Sequence, residues 1–324
     1  MRPILYVIPG WEFKIHSYGV MILFACFAAL AIAVWRARRE RIDTNVVYEL
    51  ATWLFLGGVV GARGVYVLSH LESIHNLGDV LRSWQGGNNF YGCILGGLTG
   101  SILYWLRRPF PFWLMTDVAA PAVAIGIAIG RIGCFLNGCC YGAVCDQPWA
   151  VSFPAGSHAW VRQVDSGLIS PLANHTLPVH PTQIYASLAG FILLGLLLAY
   201  FPRRRAAGQV MAVLMIVYPL TRWPLEALRG DEPAIFAGMT LAQNISVAVL
   251  AGGLAIWFSQ RGHLFVSAGT ERPSRQARLP VRFRLDGRRW AWHWHPDEPE
   301  ERANRDKTVF GRKDSAGAGR NHST

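Results

Sequence analysis

Residues 18–35 carry no charged side chain. That length is close to the ~20 apolar residues an α-helix needs to cross a hydrocarbon core. In such a core each backbone N–H and C=O must find its partner within the protein, so a spanning segment is either a helix or a strand of a closed barrel. A run this long and this uniformly apolar is a helix. Similar runs follow at 46–68, 90–106, 113–129, 184–201, 209–225 and 239–258. The expected fold is therefore an all-α integral membrane protein, a bundle of about seven transmembrane helices.

Composition agrees. Hydrophobic residues make up 52% and charged residues 16%, where a soluble domain carries about a quarter charged. Thirteen tryptophans fit a chain with two membrane–water boundaries to anchor. The net charge of +11 does not point to nucleic acid, because arginine gathers in short loops and in the tail; anionic membrane lipid is the expected partner. The first apolar run is too long for a cleavable signal peptide, and no small-residue cleavage site follows it cleanly.

Arginine also orients the bundle. Arg36, Arg38, Arg39 and Arg41 follow the first run, Arg107 and Arg108 the third, and Arg203, Arg204 and Arg205 the fifth. These alternate loops share a side, and excess arginine marks it as cytoplasmic. The N-terminus is then outside and the C-terminus cytoplasmic. Residues 1–260 form the membrane domain, with a long outer loop near 134–183. Residues 261–324 form a basic, polar tail expected to be disordered and solvated. Recurrent small residues, Gly57/Gly61, Gly92/Gly96/Gly100 and Gly126/Gly130, read as close helix packing.

Ionisable groups at membrane depth are costly and usually face a cavity or a partner. Glu49, Arg63, Asp117, Arg131 and Glu226 stand out, with Arg222 and Arg229 near the outer boundary. Offsets of four and three residues put Arg222, Glu226 and Arg229 on one helical face. Two arginines around one carboxylate leave a surplus positive charge, which suggests an anionic ligand. Arg131, at the outer end of the fourth run, lies at similar depth. The planar fork of arginine suits phosphate. The pair Arg131 and Arg229 reads as a clamp for a phospholipid headgroup, against the alternative of arginines that merely snorkel to the interface.

Other outer helix ends bring polar groups to the same leaflet. His16 and Tyr18 open the first helix, Asn88, Asn89 and Tyr91 the third, and His180, Gln183 and Tyr185 the fifth. His180 reads equally as an acid–base group or an interfacial cap. Cys26 and Cys93 read as small packing residues. Cys134, Cys139, Cys140 and Cys145 cluster but lack the paired C-x-x-C spacing of a structural zinc site. On the outer face a disulfide staple is the first expectation; inert thiols, a metal site and a catalytic cysteine are the other readings.

The motifs HSYG (16–19), GARGVYV (61–67), NNFYGCILGG (88–97), GRIGCFLNGCCYG (130–142), HPTQIY (180–185), RWPLEALRGDEP (222–233) and MTLAQNIS (239–246) resemble, in this order, those of the prolipoprotein diacylglyceryl transferase family. The resemblance covers roughly residues 10–258. It implies a seven-helix inner-membrane protein that moves a diacylglyceryl group from phosphatidylglycerol to the thiol of a lipobox cysteine in an exported prolipoprotein, releasing glycerol phosphate. By position, Arg131, Asn137 and Gly142 match the family signature, Tyr18 the first-helix tyrosine, Arg63 the second-helix arginine, and Glu226 and Arg229 the pair around the end of the sixth helix. The chain departs from the family pattern at Tyr91, often histidine, at Cys134, commonly asparagine, and at Cys139, commonly glutamate.

The implied division of labour follows from the chemistry. Thiolate is the nucleophile, and nearby positive charge favours it. The leaving group is a phosphate monoester, which Arg131 and Arg229 would stabilise as its charge grows. Tyr18, Asn137, Gly142, Glu226, Arg63 and Arg222 would bind and orient the lipid. Tyr91 and His180 are the candidate proton acceptors. No metal or other cofactor is called for. An anion or lipid transporter, or a divergent paralogue with another acceptor, is the alternative. An intramembrane serine protease would need a G-x-S-x-G-like turn with a partner histidine, and no such pair is found.

Overall fold

The computed structural model describes residues 4–7, 14–71, 89–229, 238–267, 281–286 and 289–294. A short antiparallel pair, β1 (Ile4–Val7) and β2 (Lys14–His16), leads into α1 (Ser17–Arg39). The long helices that follow are α2 (Thr44–Ser69), α3 (Phe90–Arg107) and α4 (Phe112–Asn137). A short helix, α5 (His158–Asp165), separates them from α6 (Thr182–Tyr200), α7 (Gln209–Ala227) and α8 (Leu241–Ser267). Among the described residues six helices are long and apolar enough to cross a membrane. The seventh, α3, is interrupted by glycines and tyrosines but fills one more place in the bundle. The seven long helices match the seven apolar runs, and the protein is a multi-pass membrane protein.

The chain divides into two units, residues 1–267 and 268–324. In the second, β3 (Val281–Asp286) pairs antiparallel with β4 (Arg289–Trp294). This hairpin lies within the basic, polar C-terminal stretch.

Within the first unit the small-residue spacings are used unequally. A Cβ on Gly96 would sit 2.1 Å from the Gly57 carbonyl oxygen, and one on Gly61 would sit 2.3 Å from that of Gly92. α2 and α3 therefore cross backbone to backbone, which in lipid is how helices gain packing and dispersion contacts. Gly126 faces open space and Gly130 meets only Ile22 at 3.8 Å, so the third pair makes no such crossing. α4 approaches α6 at Gly190, against Ala128, and it is the central helix, with Ala120, Ala124 and Ala128 fully buried. The outer faces of α1, α2 and α3 present Phe24, Phe27, Phe55, Leu56, Leu95 and Leu98; such apolar surface suits lipid rather than water.

Polar side chains fix the two ends of the bundle. At the end formed by the C-terminus of α1 and the N-terminus of α7, buried Asp117 of α4 accepts from the Gly208, Val210 and Met211 N–H groups at 2.9, 2.9 and 3.1 Å. These are donors a helix start cannot satisfy itself, so Asp117 caps α7 from another helix. Arg204 lies 3.6 Å from Asp117 and 2.6 Å from Glu40, which also holds Arg36 at 3.1 Å. Glu49 takes Arg108 and Tyr104, each at 3.1 Å. Glu49 and Asp117, two of the ionisable groups at membrane depth, are thus structural anchors. The opposite end collects the remainder.

Candidate functional site

The segment between α4 and α6 forms a cap at that opposite end. Tyr141, Phe153, Ala159 and Val179 are buried together with Phe135 against them. Val179 forms β-bridges with Val144 and Val151, and Ser157 caps α5 by accepting from Trp160 N–H at 3.2 Å. The long loop thus has its own small core, which holds the end of α4 in place.

α4 ends at Asn137, and Gly138 takes the left-handed conformation (φ 71°) expected of a helix-stopping glycine. Cys140 is also left-handed, with φ 60°, an unfavourable region for a residue with a Cβ. The turn is tied to the start of α6. Gln183 donates from Nε2 to the Cys139 carbonyl and Thr182 from Oγ1 to the Cys140 carbonyl, both at 2.8 Å. Gly142 then passes through the tightest point of the cap. Its N–H donates to the His180 carbonyl at 2.9 Å, and a Cβ there would lie 2.7 Å from that of His180 and 3.0 Å from the Leu228 carbonyl oxygen. One glycine thereby joins the α4 turn, the entrance to α6 and the end of α7.

The loop disulfide expected of the cysteine cluster is not formed; all six cysteines are free thiols. The Cys134, Cys139 and Cys140 sulfurs instead converge in a trio within 4.8 Å of one another, whereas a disulfide would bring two of them to about 2 Å. Asn137 donates from Nδ2 towards Cys139 Sγ at 3.7 Å. The Cys140 thiol is pushed well below its ordinary pKa, first by hydrogen bonds from Cys134 and Cys139, then by the Arg131 and Arg229 guanidiniums, against the opposing effect of burial.

Arg131 and Arg229, from α4 and from the residues after α7, therefore bear on the same sulfur. Tyr18, in the first turn of α1, lies in the field of Arg131 and of the same three cysteines. Its ring would contact a Cβ placed on Gly133 at 3.3 Å. Arg131 also shares a cleft with Arg222, lined by Tyr218, Thr221 and Ala186. Arg222 forms an ion pair with Glu226, and Arg229 lies 3.6 Å from the same carboxylate. Glu226 is only 1% exposed, and Thr240 approaches it at 3.5 Å.

The structure thus brings Tyr18, Arg131, Asn137, Gly142, Arg222, Glu226 and Arg229 to one end of the bundle. Arg63 and Tyr91 sit on the neighbouring α2–α3 pair. Arg63 lies over the Tyr66 ring of its own helix at 5.1 Å, and Tyr91 is exposed in the first turn of α3, which Asn89 caps by accepting from its N–H at 2.9 Å. His180 stands in the cap, its ring 6.3 Å from that of Tyr185. Sequence reasoning passed over Thr182, Thr240 and the load on Gln183. Their side chains act on groups 14 to 44 residues away, which no local spacing discloses.

A family model described as prolipoprotein diacylglyceryl transferase matches residues 3–259. Phosphatidylglycerol–prolipoprotein diacylglyceryl transferase of Clostridium tetani is 30% identical over 257 residues, covering 79% of this chain and 97% of that protein. The protein of the same name from Synechococcus elongatus is 33% identical over 248 residues, covering 74% and 82%. That of Legionella pneumophila strain Paris is 29% identical over 257 residues, covering 76% and 93%.

Proposed function

Because this chain belongs to the prolipoprotein diacylglyceryl transferase family, we propose that it transfers the diacylglyceryl group of phosphatidylglycerol to the lipobox cysteine thiol of an exported prolipoprotein, with a thioether and glycerol phosphate as products. The observation that carries the reading is the convergence of three arginines: Arg131 of α4 shares a cleft with Arg222 of α7, Glu226 joins Arg222 to Arg229, and Arg131 and Arg229 both bear on the Cys140 thiol. A phosphodiester with an aliphatic diacylglycerol body fits that setting. Its tails lie among lipid-facing helices and its phosphate reaches the arginines.

In this mechanism the acceptor thiolate attacks the glyceryl carbon that bears the phosphodiester oxygen. The C–O bond breaks, and its electron pair leaves on glycerol phosphate. Charge grows on phosphate oxygens as the bond stretches, so donors fixed there beforehand lower the barrier. Arg131 and Arg229 supply those donors. Glu226 holds Arg222 and Arg229 in place and offsets one of their two charges. Tyr18 and Asn137 orient the headgroup, Gly142 allows the close approach of three segments, and Arg63 meets the lipid from the α2–α3 side. Tyr91 and His180 are the candidates to take the thiol proton.

The site lies on the outer leaflet of the bacterial inner membrane, with the arginine-rich loops in the cytoplasm. The prolipoprotein signal segment would enter beside the exposed faces of α1–α3. A transporter would spread its charges along a path, whereas the charged groups here collect at the two ends of the bundle.

The test is transfer of labelled diacylglycerol from phosphatidylglycerol vesicles to a lipobox peptide by the reconstituted protein. Label on the peptide cysteine is expected. Label on no peptide, or equally on a peptide whose lipobox cysteine is replaced by serine, refutes the reading.

A further inference from the structure

Three thiols at the centre of a lipid-phosphate site call for a role of their own. Cys134 lies in the last turn of α4, while Cys139 and Cys140 follow its end, yet their sulfurs gather within 4.8 Å of one another. The chain accepts an unfavourable left-handed backbone at Cys140 in this arrangement. It also fixes both neighbouring carbonyls from α6, through Gln183 and Thr182, and sets an amide donor from Asn137 on Cys139. Sulfurs in a tetrahedral zinc site, with Zn–S of about 2.3 Å, lie roughly 3.8 Å apart. A contraction of at most about an ångström would reach that spacing from the present one.

We propose that Cys134, Cys139 and Cys140 bind one Zn²⁺ ion as three thiolate ligands, and that the fourth coordination position takes the acceptor thiol. Three protein ligands with one open position is the arrangement of catalytic rather than structural zinc. Soft thiolate donors select zinc over magnesium or calcium. A zinc tris-thiolate carries one net negative charge, and Arg131 and Arg229, which both bear on Cys140, supply the compensating positive charge. The inference rests on the transferase reading for its acceptor, but the metal site itself does not.

The chemistry balances. The acceptor thiol displaces zinc-bound water, and its proton passes to that water, because a thiol coordinated to zinc is held as thiolate. The sulfur pair then attacks the glyceryl carbon, the C–O pair leaves with glycerol phosphate between Arg131 and Arg229, and no electrons are gained or lost. The thioether product is neutral and binds zinc weakly, so it departs and water returns. This places the nucleophile beside the groups that hold the leaving phosphate, and makes Tyr91 and His180 dispensable as bases.

The experiment uses the full-length chain, purified in detergent under reducing, anaerobic conditions. Wild-type protein is treated with iodoacetamide with and without one equivalent of Zn²⁺, and each cysteine is read by peptide mass spectrometry. Zinc should protect Cys134, Cys139 and Cys140 at least tenfold and leave Cys145 unchanged. Co²⁺ in place of Zn²⁺ should give sulfur-to-cobalt charge-transfer absorption at one equivalent. This signal should be lost in Cys134→Ser, Cys139→Ser and Cys140→Ser and kept in Cys145→Ser. Addition of the lipobox peptide should shift the cobalt bands, and its cysteine-to-serine version should not. Absence of protection in the wild-type protein overturns the site, whatever the fate of the variants. Full-rate lipidation by chelator-stripped protein overturns the catalytic role while leaving the transferase reading intact. Tight zinc binding with no lipidation would overturn the transferase reading, and the catalytic role with it, while leaving the metal site standing.

Discussion

Gln183 donates from its Nε2 to the Cys139 carbonyl at 2.8 Å, with its side chain fully buried. This one bond ties the first turn of α6 to the turn in which α4 ends, and so sets where the cysteines and the end of α4 stand relative to α6. Replacement by leucine keeps the volume and strands the carbonyl. Leaving a buried acceptor unpaired costs about 1–3 kcal/mol. Gln183→Leu is expected to lower the thermal midpoint in detergent and to slow peptide lipidation by more than tenfold. A variant with wild-type melting and wild-type rate would show that the tie has no bearing on the site.

Arg131 and Arg229 act in the proposed mechanism through geometry as much as charge. Lysine keeps the charge but offers a point donor where a planar fork is needed. Loss of one donor to a developing oxyanion typically costs about 10²–10³ in rate. Arg131→Lys and Arg229→Lys are each expected to fall in that range by initial-rate measurement, with unchanged helicity by circular dichroism. Near-normal turnover in both would remove the phosphate clamp.

Glu226 lies between Arg222 and Arg229 and pairs with both. Glu226→Gln keeps its shape and withdraws its charge, leaving two guanidiniums facing each other in a buried setting. Breaking a buried pair from one side costs about 3–5 kcal/mol, so the thermal midpoint should fall clearly. With Glu226 neutral, Arg222 and Arg229 should grip the ground-state phosphodiester harder without an equal gain in the transition state. KM for phosphatidylglycerol should fall and kcat fall further. A rise in KM at unchanged kcat would show that Glu226 contacts the donor itself.

The bundle was legible because its signal is local: each apolar run specifies its own helix, and all seven runs became helices. The arginine pair was legible too, since Arg222, Glu226 and Arg229 share a face by helical spacing alone. What the sequence hid was non-local. Asp117 reads as an unexplained charge until Gly208, Val210 and Met211 are seen to point their N–H groups at it from about ninety residues away. The cysteines suggested a staple because their common point depends on the backbone at Gly138 and Cys140, and on α6 holding that turn. The cap between α4 and α6 was read as a loop because its core draws single residues from scattered positions, with no period to betray it.

Asp117 also supports a prediction about the end of the bundle away from the site. Asp117→Ala leaves three backbone N–H groups of α7 without their acceptor and Arg204 without one of its carboxylates. An N-cap loss costs about 0.5–2 kcal/mol, and burial of the three stranded donors, with Arg204 left to Glu40 alone, should carry the total beyond that. Asp117→Asn retains an acceptor oxygen and should lie between. The expected order of thermal midpoints is wild type, then Asn, then Ala. Lipidation rates measured well below each midpoint should be alike, because this anchor stands at the end opposite Arg131. A rate loss in Asp117→Asn at full stability would place Asp117 in the chemistry rather than in the scaffold.

Helix contact through glycine gives the clearest contrast. A Cβ on Gly96 would lie 2.1 Å from the Gly57 carbonyl oxygen, and the obstacle is backbone, which cannot rotate away. Gly96→Ala must push α2 and α3 apart along their whole crossing, and overpacking of this kind costs about 1–3 kcal/mol or more. Gly126, in the middle of α4, has nothing within 4 Å of the same added atom. There alanine should be neutral or stabilising, since a glycine inside a helix costs about 1 kcal/mol relative to alanine. Size-exclusion profiles after a heat step should show Gly96→Ala aggregating at a temperature at which wild type and Gly126→Ala remain monodisperse. Equal survival of the two variants would mean that α2 and α3 do not cross at the glycines.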